Sequence, residues 1–352
     1  MPHPRPFRPL AAGGGPAACA VTLAVLLVAA CTGSAPAPGA GSSASSGSSA
    51  AASTSAPPTS SSPSRPTTAA PTRLGGGPVL AAKIDNTSAS RPRVGVGRAD
   101  VVYVEPVEAG LTRLLVVWSS SMPPQIGPVR SGRETDVDLL ANYGRVAFAF
   151  SGASAGTLAT LGRGRQVNLS NDASAVGFFR AGNRYAPYNV IGDTRALLAR
   201  AGGSVRPVDP GFRYGAAAAG GARGSVVRTA WAASRIELRY DPARHRYLVT
   251  TDGRADIDAD GSQHSAATVV VQHVSTTLSA NTDVNGVHSP LATVVGRGAV
   301  DVLRDGRVWH GTWSRSSAAA PTAFVSGTTT LTMAAGPVWV LLVPTGQAVT
   351  IG

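Results

Sequence analysis

The groups in this sequence best suited to chemistry gather between residues 83 and 154. Ser131-Gly132-Arg133-Glu134 has the S-x-x-E spacing of a capping box, with apolar Val137, Leu140 and Ala141 behind it, so a helix is expected to start at Ser131. Free amides at a helix start favour an anion, and Arg130 and Arg133 flank this one with guanidinium forks that match carboxylate or phosphate. Upstream, Lys83-Ile84-Asp85-Asn86, Glu105 and Arg113 end or interrupt three apolar runs. If those runs are adjacent strands, their polar groups converge at one sheet edge. Lys83, Asp85, Asn86, Glu105, Arg113, Arg130, Ser131 and Arg133 then form a candidate anion site, with Asp85 and Glu105 orienting the arginines. The competing expectation is that Arg130 and Arg133 pair with Glu134, Asp136 or Asp138 and serve only the fold.

An enzymatic alternative also has residues to offer. Gly152-Ala153-Ser154-Ala155-Gly156 matches the G-x-S-x-G nucleophile elbow and follows an apolar run, as a hydrolase requires. In a chain this rich in Gly and Ser, roughly half such a match is expected by chance. Asp193 and His245, His264, His273 or His288 follow in hydrolase order, but none sits in a distinctive motif. Asp85 and Glu105 could alternatively act as an acid and base pair on a glycan or ester. The histidines beyond residue 31, at 245, 264, 273, 288 and 310, lack the paired spacing of metal ligands. No phosphate-binding or dinucleotide motif is present, so neither a metal nor a cofactor is expected.

The elements that must hold these groups are legible as short runs. Pro78 to Ile84, Asp100 to Val104, Thr112 to Trp118 and Arg145 to Phe150 read as strands bounded by Gly, Pro and Asn. Asp193-Thr194 should cap a helix over Arg195 to Arg200, with Gly202 as its stop. From Arg235 onward strand runs dominate. Asp305-Gly306 marks a tight hairpin, Tyr240 to Tyr247 a looser one, and Trp309 and Trp313 share one strand face turned to a core. The fold class is therefore α+β. A mixed α/β N-terminal domain over 74–214 is expected to pass through a Gly/Ala linker, 215–224, into a β-rich domain over 225–352.

The first 73 residues are of another kind. Arg5 and Arg8 precede an uncharged apolar run, Ala17 to Ala30, that is short for a membrane span and ends at Cys31. This is the profile of a lipoprotein signal peptide, 1–30, with Cys31 as the lipidated first residue of the mature chain. Cys19 leaves with the signal peptide, so the mature chain forms no internal disulfide. Residues 31–73, nearly all Ser, Ala, Pro, Thr and Gly, read as a disordered tether. The protein is thus expected on the outer face of the cytoplasmic membrane, held there by the lipid on Cys31. The formal charge of +12 loses Arg5 and Arg8 on processing (12 − 2), leaving +10. Its arginines are scattered and not interleaved with aromatic residues. That disfavours nucleic acid and favours an anionic wall polymer, a lipid headgroup or a membrane protein as partner. Lys83 is the only lysine, so a requirement for its compact ammonium group competes with chance survival in an arginine-biased chain.

Several of these motifs, in order, resemble one known family: Lys83-Ile84-Asp85-Asn86, Arg91-Pro92, Ala99 through Glu105, Thr112-Arg113, and Gly127-Pro128-Val129-Arg130-Ser131 with Arg133. Together they resemble the YerB-like lipoproteins, a family divided into N- and C-terminal domains of unknown function. The resemblance runs from about Gly77 to the end of the chain. It implies a two-domain envelope lipoprotein and brings no activity or ligand with it. Where the family usually has Ala-Pro-His-Asn, this chain has Ala186-Pro187-Tyr188-Asn189, so a mechanism that needs an imidazole base there is not supported.

Overall fold

The structure, a computed structural model, describes residues 77–283 and 285–352. The expected signal peptide, Cys31 and the tether lie outside the described residues. Strands β1 (Leu80–Asp85), β2 (Val101–Pro106) and β3 (Thr112–Trp118) come first, followed by α1 (Thr135–Ala141), β4 (Ala147–Phe150), α2 (Ala155–Gly162), β5 (Val167–Ser170) and α3 (Thr194–Ala201). The C-terminal half carries β6 (Val226–Trp231), β7 (Ser234–Asp241), β8 (Arg246–Thr251), β9 (Thr268–Val274), β10 (Thr276–Thr282) and β11 (His288–Ala292). It ends with β12 (Gly296–Arg304), β13 (Arg307–Arg315), β14 (Ala323–Ser326), β15 (Val338–Pro344) and β16 (Val349–Ile351). The protein is α+β, with its α-helices confined to the N-terminal half among the described residues.

One large sheet is built from both halves, in the order β14-β13-β12-β9-β15-β2-β3-β1-β4-β5. The join is β15, which lies parallel to both β9 and β2 and pairs Val338 with Val101 and Leu341 with Val104. All six residues of β1 and of β2 are buried because both faces of the sheet are covered. One face carries Leu80, Ile84, Val104, Leu114 and Trp118, packed against Val227, Leu238 and Tyr247 of the second sheet, β8-β7-β6-β16. The opposite face carries Ala81, Tyr103, Leu115 and Val117 against Leu139, Leu140 and Leu161 of α1 and α2. Trp309 and Trp313 are buried on that face too. Asp305 and Gly306, both at positive φ, turn β12 into β13.

Asp193 caps α3 as expected, its Oδ1 accepting from the amide of Ala196 at 2.8 Å. The other helix start differs. There is no capping box at Ser131: α1 begins four residues later at Thr135, and no side chain caps it from Glu134. Asp136 reaches back instead, its Oδ2 accepting from the amide of Arg133 at 2.6 Å. The Glu134 carboxylate is taken by distant donors, the Ser279 hydroxyl and Asn281 Nδ2, and by Thr160 Oγ1 of α2.

Candidate functional site

Strand alternation places Lys83, Asp85, Tyr103, Glu105 and Arg113 on one face at one end of the sheet. In the order β2-β3-β1, Arg113 stands in register between Glu105 and Asp85. The segment before α1 runs past the same end. The Arg130 amide donates to the carbonyl of Lys83 at 2.8 Å, and its carbonyl accepts from the Ser151 amide at 2.9 Å. Arg130 is thereby fixed between the ends of β1 and β4.

Two neighbouring clusters result. In the first, Lys83 is wholly buried, and its ammonium donates to Glu105 at 2.8 Å and to Asp136 at 2.5 Å. Burial raises the Glu105 pKa, with Lys83 opposing the shift and Asp136 adding to it. Lys83 and Glu105 were expected at the site, but the structure places both beneath it, paired to each other and shut away from solvent. Glu105 therefore orients no arginine and, as a buried carboxylate, forms no exposed acid and base pair with Asp85. Asn86 is likewise structural: its Nδ2 donates to Thr112 and its Oδ1 accepts from the buried Arg93.

The second cluster lines an open cavity of about 380 Å³ formed by Arg113, Arg130, Ser131, Arg133, the start of α2 at Ser154 and Thr157, and the β10–β11 hairpin. Arg133 pairs with Glu108 at 2.5 Å, and Arg130 pairs with Asp85 at 3.1 Å. Neither uses Glu134, Asp136 or Asp138 as an ion-pair partner. Asp85 is itself held by the Thr87 amide and hydroxyl at 2.7 and 2.6 Å, so it does orient an arginine. The Arg130 Nη1 donates to the carbonyl of Pro187 at 3.0 Å, and its guanidinium lies over the Tyr188 ring, 5.4 Å from the centroid. Tyr188 thus borders the cavity through Arg130.

Arg113 differs from both. Its side chain makes no hydrogen bond or ion pair among the described residues, and its Nη1 is buried without a partner. Burial pushes its pKa down to about 9, the neighbouring Arg133 and Arg130 push in the same direction, and the nearby Glu108 and Asp85 carboxylates oppose the shift. A guanidinium held in this way has carboxylates nearby and none in direct contact with it.

Glu108, Asp172, Asp283 and Ser289 are among the cavity residues that went unseen in the sequence. Glu108 accepts from the Ser289 hydroxyl as well as from Arg133, and these bonds hold its pKa down against the effect of burial. Asp283 is occupied by the Asn285 and Val287 amides of its own turn. Asp172 is exposed at the rim. Asn285-Gly286, a turn dipeptide, was the one available signal for this hairpin.

Ser154 lines the cavity but donates to Thr157 Oγ1 at 3.1 Å and bonds no histidine. Both glycines of its motif answer to packing. A Cβ on Gly152 would overlap the Asp172 carboxylate, and one on Gly156 would overlap the Asn281 side chain from β10. Among the described residues, no group of three or more His, Cys, Asp or Glu side chains could hold a metal ion.

The fold and site define a class: an α+β protein whose two halves share a sheet, with an arginine-lined cavity at the sheet's end. The N-terminal domain of the family described as "Protein of unknown function (DUF3048)" matches residues 67–206, and the family's C-terminal domain matches residues 226–340. The chain belongs to this family. It is similar to the Bacillus subtilis (strain 168) protein named "Putative lipoprotein YerB", with 32% identity over 111 residues, 31% of this chain and 33% of the relative. The match thus spans about a third of that relative's length. The crystal structure of YerB protein from Bacillus subtilis has the same fold, with a TM-score of 0.68 at 21% identity over 78% of this chain and 94% of that one.

Proposed function

We propose that this protein is a non-catalytic binding or assembly factor for an anionic component of the cell envelope. It holds a phosphate or carboxylate among Arg113, Arg130 and Arg133. The observation that carries the reading is the absence of a partner for Arg113. Arg130 and Arg133 have carboxylates of their own, whereas Arg113 is largely buried, has its charged form disfavoured, and lines a cavity of ligand size. An anion entering there gains charge-assisted hydrogen bonds and relieves the repulsion among three guanidinium groups. The rim carboxylate of Asp172 is an acceptor for hydroxyl groups, which suits a phosphorylated polyol or a uronate.

The lipoprotein signal, with Cys31 as the lipidated residue, supports placement on the outer face of the cytoplasmic membrane. There the tether would hold the cavity near wall polymers and headgroups. The hydrolase alternative has less support, since Ser154 lacks a base and its glycines are explained by packing.

The test is a thermal-shift screen of the chain from residue 31, carrying Cys31→Ser, against inorganic phosphate, glycerol 3-phosphate, uronates and neutral glycans. Anions are expected to stabilise the wild type and leave Arg130→Glu unmoved. Equal stabilisation of Arg130→Glu would overturn the reading.

A further inference from the structure

Resting on that reading, we infer that the anion is the head of a diacyl glycerophospholipid, whose hydrocarbon lies in a second, apolar cavity across the β10–β11 hairpin. This cavity measures about 690 Å³, is walled by Pro106, Ala230, Trp231, Pro290 and Pro344, and shares Val107, Glu108 and Ala109 with the arginine cavity.

The hairpin separates the two by strand alternation. Ser289 faces the arginines, while its neighbours His288 and Pro290 line the apolar side. At the tip the same division recurs, with Asp283 and Asn285 on the polar side and Gly286 and Val287 on the apolar one.

Three observations point to acyl chains as the occupant. Leu278 and Val287, 69% and 40% exposed, present bare hydrocarbon on the wall of this cavity. On the same wall, Trp231 Nε1 and Thr276 Oγ1 are buried without hydrogen-bond partners, and the ester carbonyls of a diacylglycerol are acceptors of the kind both lack. The shared wall at Val107–Ala109 sets the apolar cavity directly beside one that holds Arg113, Arg130 and Arg133, so an anionic group and hydrocarbon have neighbouring sites.

The test compares three ligands below their aggregation limits: dihexanoyl phosphatidic acid, glycerol 3-phosphate and dihexanoylglycerol. The protein is again the chain from residue 31 with Cys31→Ser, and binding is followed by calorimetry. Phosphatidic acid is expected to bind at least ten-fold tighter than glycerol 3-phosphate. The double variant Leu278→Gln, Val287→Gln alters only exposed side chains, and should remove most of that gap while glycerol 3-phosphate binds as before. Equal binding of the two phosphates, or a gap that survives the double variant, overturns the lipid inference and leaves the anion reading standing. Failure of both phosphates to bind overturns both. Tighter binding of dihexanoylglycerol than of phosphatidic acid overturns the role of Arg113.

Discussion

Two charged clusters lie side by side at the end of one sheet, and they are built on opposite principles. Around Lys83 one ammonium serves two carboxylates in the absence of solvent, so each ionic group has a partner within the chain. Around Arg113 three guanidinium groups face an open cavity; Asp85 and Glu108 pair with Arg130 and Arg133, Asp172 and Asp283 also line the cavity, and no carboxylate pairs with Arg113 among the described residues. The first cluster holds the molecule together. The second leaves Arg113 without a direct counter-charge, which is the feature the proposed anion site rests on.

The largest effect that should sharpen this contrast is on the satisfied cluster. Lys83→Met leaves Glu105 and Asp136 buried without their cation, and chemical denaturation should show a loss of about 3–5 kcal/mol. A loss under 1 kcal/mol would mean that the two clusters do not differ in kind.

Next comes the pH dependence of binding. Because the pKa of Arg113 is pushed down to about 9, phosphate binding by calorimetry should weaken as pH rises through that value, measured from about pH 8 upward where phosphate is already a dianion. The stability term has the opposite sense. The unfolded chain keeps this proton to higher pH than the folded one, so above about pH 9 the contribution of Arg113 to stability rises with pH. Both trends should vanish in Arg113→Met.

A smaller effect is expected of Glu108→Gln, which weakens the pair with Arg133 and the bond from Ser289 while preserving shape. Anion affinity should rise modestly, since Arg133 then also lacks a full counter-charge. The smallest belongs to Ser154→Ala, which should change stability by less than about 0.5 kcal/mol and leave anion binding intact. Fluorophosphonate labelling of the wild-type Ser154 would contradict that assignment.

How far the sequence reached can be judged from the same residues. The ends of β1, β2 and β3 were legible as carrying Lys83, Asp85, Glu105 and Arg113, but only the strand register places them on one face and the Arg130 segment beside them. Which charges would be satisfied was not legible, because that depends on depth within the packed layers. Lys83 and Arg113 occupy adjacent strands on the same face, yet only the end of the sheet near Arg113 is left open by α1 and α2. Composition could not specify the setting of the lone lysine, whose ammonium lies between two carboxylates. The S-x-x-E signal misled because it is local, and Glu134 finds donors in Ser279 and Asn281, 145 and 147 residues away. The hairpin wall was hidden for the same reason, Glu108 and Ser289 being 181 residues apart.

The role of Arg113 is tested most directly by the thermal denaturation of Arg113→Met beside the wild type, each with and without phosphate. Removing an unmatched guanidinium should stabilise the ligand-free protein by about 1–3 kcal/mol, a rise of several degrees, and abolish the response to phosphate. A variant that melts lower than the wild type, or that phosphate still stabilises, would show that Arg113 serves the fold and that the cavity was not built around its charge.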